Sequence, residues 1–213
     1  MNRVRLYLWL IVSILLIIIN SGCSLPAVQH NARGAAAFGA GDYDTAISEF
    51  SQVLEINPDD IGALHFRGRA YYEIGECEQA IKDLSEAIRL EPDSYSGYQS
   101  RGLAYTKKGL YELAIKDFNK ALELWPGNSR FIAERCVAYY YNQQYDYALK
   151  DLDEAIRTEP KEAIFYSYRA DVYIATGQIS LAVADLNKAI ELSDDPLLIT
   201  SLKEKLNTLE RSN

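Results

Sequence analysis

Cysteine, histidine and methionine are scarce in this chain: 213 residues include three cysteines, two histidines and one methionine. The spacings of the cysteines and histidines match no zinc site. The sequence contains no HExxH or GxSxG motif and no glycine-rich phosphate-binding loop. Neither His30 nor His65 stands in a nucleophile–base arrangement. We therefore expect no bound metal, no cofactor and no enzymatic activity.

Basic residues are outnumbered, with 22 lysines and arginines against 30 acids and a formal net charge of −8. The first 22 residues hold Arg3 and Arg5 and no acid, so the remainder carries −10. Because duplex nucleic acid needs a dense basic surface, nucleic-acid binding is not expected. The one compositional excess is tyrosine, with sixteen residues.

A long apolar run occurs once, at the N terminus. It covers residues 6–19, is interrupted only by Ser13, and follows the two basic residues at the start of the chain. This order is that of a secretory signal peptide. Its 14 residues are fewer than the ~20 that a membrane-spanning helix needs. An uncleaved N-terminal membrane anchor is the alternative, and both interpretations place the rest of the chain outside the cytoplasm beside a membrane.

The end of this segment, Ser21-Gly22-Cys23, resembles the lipobox of bacterial lipoproteins, in which small residues precede a lipid-bearing cysteine. Asn20 departs from the aliphatic residue usual in that family. The resemblance implies a lipoprotein-type signal peptide over 1–22, lipid on Cys23 and a short tether over 23–26. Ser24 resembles the default signal for sorting to the outer membrane, which places the domain on its periplasmic side. A tether of three residues reaches only ~10 Å, so the domain should lie close to the bilayer.

The rest of the chain repeats every 34 residues. Prolines recur at that spacing, and each copy places a small residue at position 8, glycine at 15, alanine at 20, a bulky apolar residue at 24 and a small apolar residue at 27, with few exceptions. An aromatic residue occupies position 11 in four copies. The five copies are 27–60, 61–94, 95–128, 129–162 and 163–196.

This pattern resembles the tetratricopeptide repeat. The resemblance implies an all-α fold, a right-handed α-solenoid of five helical hairpins, and the short linkers predict one continuous domain. Apolar residues at helical spacing, from Leu198 to Leu209, predict a capping helix over 197–213, starting near Asp195 and Pro196. Cys77 and Cys136 fall two repeats apart, too far for a disulfide. We expect both to be free thiols, with Cys136 buried.

Position 7 is arginine in every copy, where the family usually has leucine, and position 23 is always an acid. We expect an ion pair between the two helices of each repeat, because the guanidinium offers a planar fork to a carboxylate. The alternative is an arginine column that binds an anionic polymer. The predicted pairs are Arg33–Glu49, Arg67–Asp83, Arg101–Asp117, Arg135–Asp151 and Arg169–Asp185.

In tetratricopeptide solenoids the first helix of each hairpin lines a concave groove that holds partners. The resemblance therefore implies a partner-binding groove here, and aromatic and arginine side chains concentrate binding energy at interfaces. We expect the partner to contact the groove between repeats 2 and 4. The candidate groove residues are Phe66, Arg69, Tyr72, Lys107, Arg130, Tyr140, Tyr141 and Tyr168.

Together these features predict a membrane-anchored adaptor that binds partner proteins at the periplasmic face of the outer membrane. It resembles lipoproteins of this repeat type that scaffold cell-wall enzymes and proteases or help to assemble pilus secretins. Two alternatives stay open: a binder of anionic envelope polymer, and a self-assembling structural lipoprotein that forms a homodimer.

Overall fold

A computed structural model describes residues 26–211, and every regular element in that stretch is an α-helix. The predicted all-α class is therefore confirmed. The signal peptide and Cys23 lie outside the described residues. No helix between 26 and 211 combines the length and apolar character that a membrane span requires. The helices are α1 (26–39), α2 (Tyr43–Ile56), α3 (Ile61–Glu73), α4 (Cys77–Leu90), α5 (Tyr95–Lys108), α6 (Tyr111–Leu124), α7 (Ser129–Tyr141), α8 (Tyr145–Thr158), α9 (Ala163–Ala175), α10 (Ile179–Leu192) and α11 (Pro196–Arg211).

The chain divides after Pro92 into two compact units. That the five repeats form one continuous domain stays a prediction. We call residues 26–92 unit 1 and residues 93–211 unit 2. Unit 1 contains the hairpins α1–α2 and α3–α4, and unit 2 contains α5–α6, α7–α8, α9–α10 and the single helix α11. The same short, proline-containing turn follows every repeat before the last, so linker length carries no signal of this division.

Each hairpin turn depends on a residue in the left-handed backbone region, which glycine adopts at no steric cost. Gly41, Gly75, Gly109 and Gly177 have φ between 74° and 88° at this position. Repeat 4 has Gln143 there, with φ of 59°. The predicted role of position 15 is therefore observed. In repeat 4 Gln143 adopts this conformation, although its side chain disfavours it.

The two helices of a hairpin approach each other closely at position 8. A Cβ atom placed on Gly68 would lie 2.8 Å from Leu84 Cγ, and one on Gly102 would lie 2.9 Å from a ring carbon of Phe118. Real Cβ atoms essentially never come so close, so these positions require glycine opposite a large apolar residue. The buried alanines at position 20, such as Ala80 and Ala114, extend the same close packing.

The last helix, α11, packs against α10 in unit 2. Asp195 accepts a hydrogen bond from the backbone N–H of Leu197, 2.9 Å away, just where the helix begins. Leu202 is buried in a cluster with Leu186 and Ala189 of α10. This is the predicted capping helix, although Pro196 already belongs to it, and Pro26 of the predicted tether already lies in α1. Cys77 and Cys136 are free thiols and Cys136 is buried, as expected, while Cys77 is buried as well.

Candidate partner-binding surface

Four arginines at position 7 form two-pronged ion pairs with the aspartate sixteen residues later. In each pair the arginine donates from Nε to Oδ2 at 2.7–2.8 Å and from Nη2 to Oδ1 at 2.7–2.9 Å. The aspartates are buried, with 4–7% of each residue exposed. The pairs are Arg67–Asp83, Arg101–Asp117, Arg135–Asp151 and Arg169–Asp185.

The remaining nitrogen of the same guanidinium reaches the preceding repeat. Arg135 Nη1 donates to Asn119 Oδ1 at 2.7 Å, and Arg169 Nη1 donates to Asp153 Oδ1 at 2.6 Å. In unit 1, Arg67 Nη1 donates to Ser51 Oγ at 3.0 Å. Each of these arginines therefore joins three helices, which the sequence did not predict.

The first repeat departs from this scheme, and the predicted Arg33–Glu49 pair does not form. Glu49 instead lies 2.6 Å from Nδ1 of His30, and Arg33 is exposed. Elsewhere the guanidinium lies over the tyrosine at position 11, as Arg67 lies 5.9 Å from the ring centre of Tyr71. Repeat 1 has Ala37 at that position, so Arg33 lacks the aromatic surface that supports its equivalents.

In unit 1 the candidate groove residues belong to an aromatic cluster. Phe66 stacks on the buried Phe50 with ring centres 5.6 Å apart, and it meets Phe38 edge to face at 5.7 Å. Arg69 lies over Phe38, with its guanidinium carbon 4.9 Å from the ring centre. Tyr72 is half-buried on the same helix. Phe66 is thus as much a packing residue as a surface one.

In unit 2 the first helices α5, α7 and α9 lie side by side. Their side chains, with one from α11, make up a surface that we call the groove face. Its members are Gln99, Lys107, Arg130, Glu134, Tyr140, Tyr141, Tyr168, Asp171 and Lys205.

Glu134 is the most buried charged group of the groove face, with 14% of its side chain exposed. Gln99 of α5 donates its amide to both carboxylate oxygens, at 2.9 and 2.8 Å. Arg130 donates from Nε at 3.0 Å, while 76% of the arginine side chain stays exposed. Burial raises the pKa of the Glu134 carboxyl, and the bonds from Gln99 and Arg130 oppose that rise.

The three tyrosines of the groove face lie on α7 and α9, and Tyr168 is the one near this carboxylate. Tyr140 packs edge to face on Tyr141 at 5.3 Å, and 55% of Tyr141 is exposed. The pKa of the Tyr168 hydroxyl is raised chiefly by burial, with further contributions from Cys136, Glu134 and Asp171. The structure therefore brings Arg130, Tyr140, Tyr141 and Tyr168 together.

The other acid of the groove face, Asp171 of α9, accepts a hydrogen bond from Lys205 Nζ of α11. Lys107 is exposed near the end of α5. Both carboxylates of the groove face are thus engaged by neighbouring helices. No group of three or more metal-ligating side chains occurs among residues 26–211.

Sequence reasoning missed the tyrosines at the start of the second helices. Tyr111 stacks on Tyr141 with ring centres 5.6 Å apart, Tyr145 meets Tyr140 at 5.9 Å, and Tyr147 stacks on Tyr139 at 5.3 Å. The available signal was tyrosine at position 17 of repeats 3 and 4 and at position 19 of repeat 4. They extend the aromatic surface of α7 onto α6 and α8.

Sequence profiles described as tetratricopeptide or TPR repeats match residues 27–60, 68–109, 95–128 and 137–196. The chain belongs to the tetratricopeptide repeat family, as its sequence predicted, and its fold class is the α-solenoid of that family. Proteins with this fold are in general interaction scaffolds rather than enzymes. No curated protein matches the chain.

Three solved structures illustrate the shared fold. MamA from Desulfovibrio magneticus is 17% identical, covers 80% of this chain and 98% of its own, and has a TM-score of 0.73. A thermophilic TPR protein of Thermus thermophilus is 23% identical, with coverages of 86% and 98% and a TM-score of 0.68. YrrB, a TPR protein with an unusual peptide-binding site, is 17% identical, with coverages of 84% and 92% and a TM-score of 0.67.

Proposed function

We propose that this protein is a membrane-anchored adaptor whose unit 2 binds a peptide segment of a partner protein on the groove face. The observation that carries the proposal is the arrangement around Glu134. A largely buried carboxylate is held by Gln99 and Arg130, with Tyr168 beside it and the aromatic pair of Tyr140 and Tyr141 on the same helix. Such a surface combines aromatic anchors, a fixed polar network and an exposed cation, as protein-binding surfaces do.

Two contacts between neighbouring helices organise this surface before any partner arrives. Gln99 joins α5 to α7 through Glu134, and Lys205 joins α11 to α9 through Asp171. Side chains that are already fixed lose less conformational entropy on binding. The groove face is therefore suited to an extended or helical segment that lies across α5, α7 and α9.

Arg130 indicates the chemistry of that segment. Its Nε is used by Glu134, and within the described chain its two terminal nitrogens have no partner. A guanidinium presents these nitrogens to a carboxylate in a two-pronged contact. We expect a segment with an aromatic or aliphatic anchor for the tyrosines and an acidic residue beside it. The peptide-binding site of YrrB supports a peptide ligand.

The location follows from the N-terminal sequence. Lipid on Cys23 and a tether of a few residues hold the adaptor at the periplasmic face of the outer membrane, and an uncleaved membrane anchor is the alternative. Cell-wall enzymes, proteases and pilus-secretin machinery are the partner classes that the lipoprotein resemblance suggests. Formation of a homodimer stays a prediction.

The arginine column does not favour the anionic-polymer alternative. Four of its five guanidinium groups form two-pronged pairs with buried aspartates and keep only 18–21% of their side chains exposed. A polymer would need to displace these pairs and leave carboxylates buried without partners, which is costly.

Crosslinking in cells, followed by mass spectrometry of the captured partners, tests the groove face. The Tyr140→Ala/Tyr141→Ala and Arg130→Glu variants should lose the partners that wild type recovers. Lys150→Glu is the matched control, because Lys150 is exposed on α8, outside the groove face, and the charge change is the same. Unchanged recovery in both groove variants, with melting temperatures intact, would assign binding to another surface.

The intact mass of the membrane-bound form tests the anchor. We expect a chain that begins at Cys23 and carries acyl mass, and a Cys23→Ser variant that leaves the membrane fraction. A chain that still begins at Met1 without acyl mass would instead support the uncleaved anchor.

A further inference from the structure

Unit 1 contains an open cavity of about 340 Å³ between α2 and α3. Its wall is formed by Leu54 and Leu64, with Arg67 at one side and Pro58 at one end. Ser51 and Glu55 complete the lining. The volume is at the lower end of the range of ligand sites, which favours one side chain over a larger molecule.

In unit 2 the corresponding turn, between α8 and α9, is reached by a side chain of the protein itself. Tyr166 stands at position 4 of repeat 5, where repeat 2 has Leu64. Its hydroxyl donates a hydrogen bond to the backbone carbonyl of Pro160 at 3.0 Å. The Arg169 guanidinium carbon lies 5.7 Å from the centre of its ring.

The two places are built from equivalent residues. Pro58 corresponds to Pro160 at position 32 of its repeat, and Arg67 corresponds to Arg169 at position 7. Both arginines form the same pair with an aspartate and the same contact with the preceding repeat. The guanidinium plane is therefore held in the same way at both places.

What differs is the number of rings beside the arginine. The guanidinium of Arg169 lies near two rings, 5.7 Å from the centre of Tyr166 and 5.9 Å from that of Tyr173. Among the described residues the guanidinium of Arg67 lies near one ring, that of Tyr71, at 5.9 Å. Among the described residues nothing donates to the carbonyl of Pro58, the counterpart of the acceptor that Tyr166 uses. The cavity thus offers the Pro58 carbonyl as an acceptor, the Arg67 guanidinium and an apolar wall, and no side chain of residues 26–211 makes the contacts that Tyr166 makes in unit 2.

We propose that this cavity binds the side chain of a tyrosine presented by a partner protein. The ring lies between Leu54 and Leu64 with its face toward Arg67, and the hydroxyl donates to the Pro58 carbonyl. Cation–π attraction and one hydrogen bond then reproduce the contacts that Tyr166 makes within unit 2. The site lies on unit 1 and is independent of the proposed groove face.

The test uses 4-methylphenol, the side-chain analogue of tyrosine, and toluene, which lacks only the hydroxyl. Methyl resonances of Leu54 and Leu64 are followed by NMR during titration of the full-length protein. A ligand of this size is expected to bind with Kd in the millimolar range. Toluene should bind at least about fivefold more weakly, because it cannot donate to Pro58. Equal binding of the two probes, or no shifts at tens of millimolar 4-methylphenol, overturns the proposal.

Three variants locate the probe. Leu64→Tyr places the ring of repeat 5 in the cavity and should weaken binding at least about tenfold. Leu64→Ile, which copies the residue at position 4 of repeat 4, should retain binding within about threefold. Glu55→Trp places a large ring over the cavity from an exposed position and should also weaken binding. This variant still tests the site if Leu64→Tyr disturbs the core. Wild-type affinity in Glu55→Trp and in a folded Leu64→Tyr would place the probe elsewhere.

Discussion

The two units share one 34-residue frame but differ in what fills its variable positions. Residues 26–92 carry five basic and twelve acidic residues and three tyrosines, whereas residues 93–211 carry fifteen basic and eighteen acidic residues and twelve tyrosines. Each unit has three phenylalanines. Unit 1 is therefore the strongly acidic unit, and unit 2 is nearer neutrality and rich in aromatic hydroxyl groups.

Position 6 shows how this difference acts. In repeat 2 it is Phe66, which stacks on the core of unit 1, and in repeat 4 it is Glu134, a largely buried acid held by two neighbours. The same backbone position thus serves packing in one unit and a polar network in the other. The frame determines the fold, while the variable positions determine what each unit can bind.

The largest expected effect concerns the ion pairs, because repeat 1 lacks the one that the other repeats form. Arg135→Ala should lower the free energy of unfolding by about 3 kcal/mol, since it leaves Asp151 buried without its partner. Arg33→Ala should change it by less than about 0.5 kcal/mol, because Arg33 is exposed. Urea denaturation measures both, and equal costs would contradict the contrast.

A double variant separates pairing from packing at the same site. Arg135→Leu with Asp151→Ala removes both charges and restores the family's usual leucine at position 7. Its cost should be smaller than that of Arg135→Ala, because no charge is then left buried. A double variant at least as unstable as the single one would mean that the arginine acts mainly through its contacts with Asn119 and Tyr139.

The second effect contrasts aromatic residues proposed for partner binding in the two units. Phe66→Ala should cost about 2–3 kcal/mol, because the ring packs between Phe50 and Phe38. Tyr141→Ala should cost about 1 kcal/mol or less, because more than half of the residue is exposed. Thermal melts of both variants test this ranking. A reversed order would mean that the tyrosine stack stabilises unit 2 more than the phenylalanine cluster stabilises unit 1.

Much of this architecture follows from the sequence because it depends on residue type at a fixed spacing. Three features are of this kind: the small residues opposite Leu84 and Phe118, the left-handed turns, and the aspartate partner of the position-7 arginine in four repeats. Each of these features follows from a backbone or side-chain geometry that the residue type favours strongly. Their agreement across repeats made them visible without a structure.

Other features depend on which of several nearby side chains makes a contact. The residue types at one repeat position do not determine that. His30 stands one helical turn before Arg33, so both can approach Glu49. This repeat differs from the others in having Ala37 in place of tyrosine and glutamate in place of aspartate at position 23. The stacking of Tyr111 on Tyr141 depends on ring orientation. The division after Pro92 has no counterpart in the sequence, which has the same kind of turn there as after the other repeats.

The third effect concerns position 15 in the hairpin turns. Both repeats of unit 1 have glycine there, whereas unit 2 has Gln143 in one of its three repeats. Gln143→Gly should raise the free energy of unfolding by about 0.5–1 kcal/mol, because glutamine at φ of 59° bears a steric cost that glycine does not. Gly109→Gln, the reverse change in the same unit, should lower it by about 1 kcal/mol. Chemical denaturation checks both, and a neutral Gln143→Gly would mean that side-chain contacts of Gln143 offset the cost.

The smallest expected effect concerns Glu134, the groove-face acid that replaces the phenylalanine of unit 1. Because burial raises its pKa in the folded protein, the folded state binds the proton more tightly than the unfolded state does. The stabilisation from this group is therefore present below the ordinary glutamate pKa of 4.5 and is lost as the pH rises through the folded value. Glu134→Gln stays neutral, so it should gain stability relative to wild type between about pH 4 and pH 7.

Thermal melts at both pH values measure this gain, with Glu112→Gln as the matched control, because Glu112 is exposed on α6 of the same unit. An equal gain in the control would mean that the effect does not come from the burial of Glu134. A Glu134→Gln variant that loses stability as the pH rises would mean that the bonds from Gln99 and Arg130 outweigh burial. The Glu134 carboxylate would then stabilise unit 2 as well as organise its groove face. Both residues at position 6, Phe66 and Glu134, would then support the fold, and they would differ only in whether they do so by apolar packing or by hydrogen bonds.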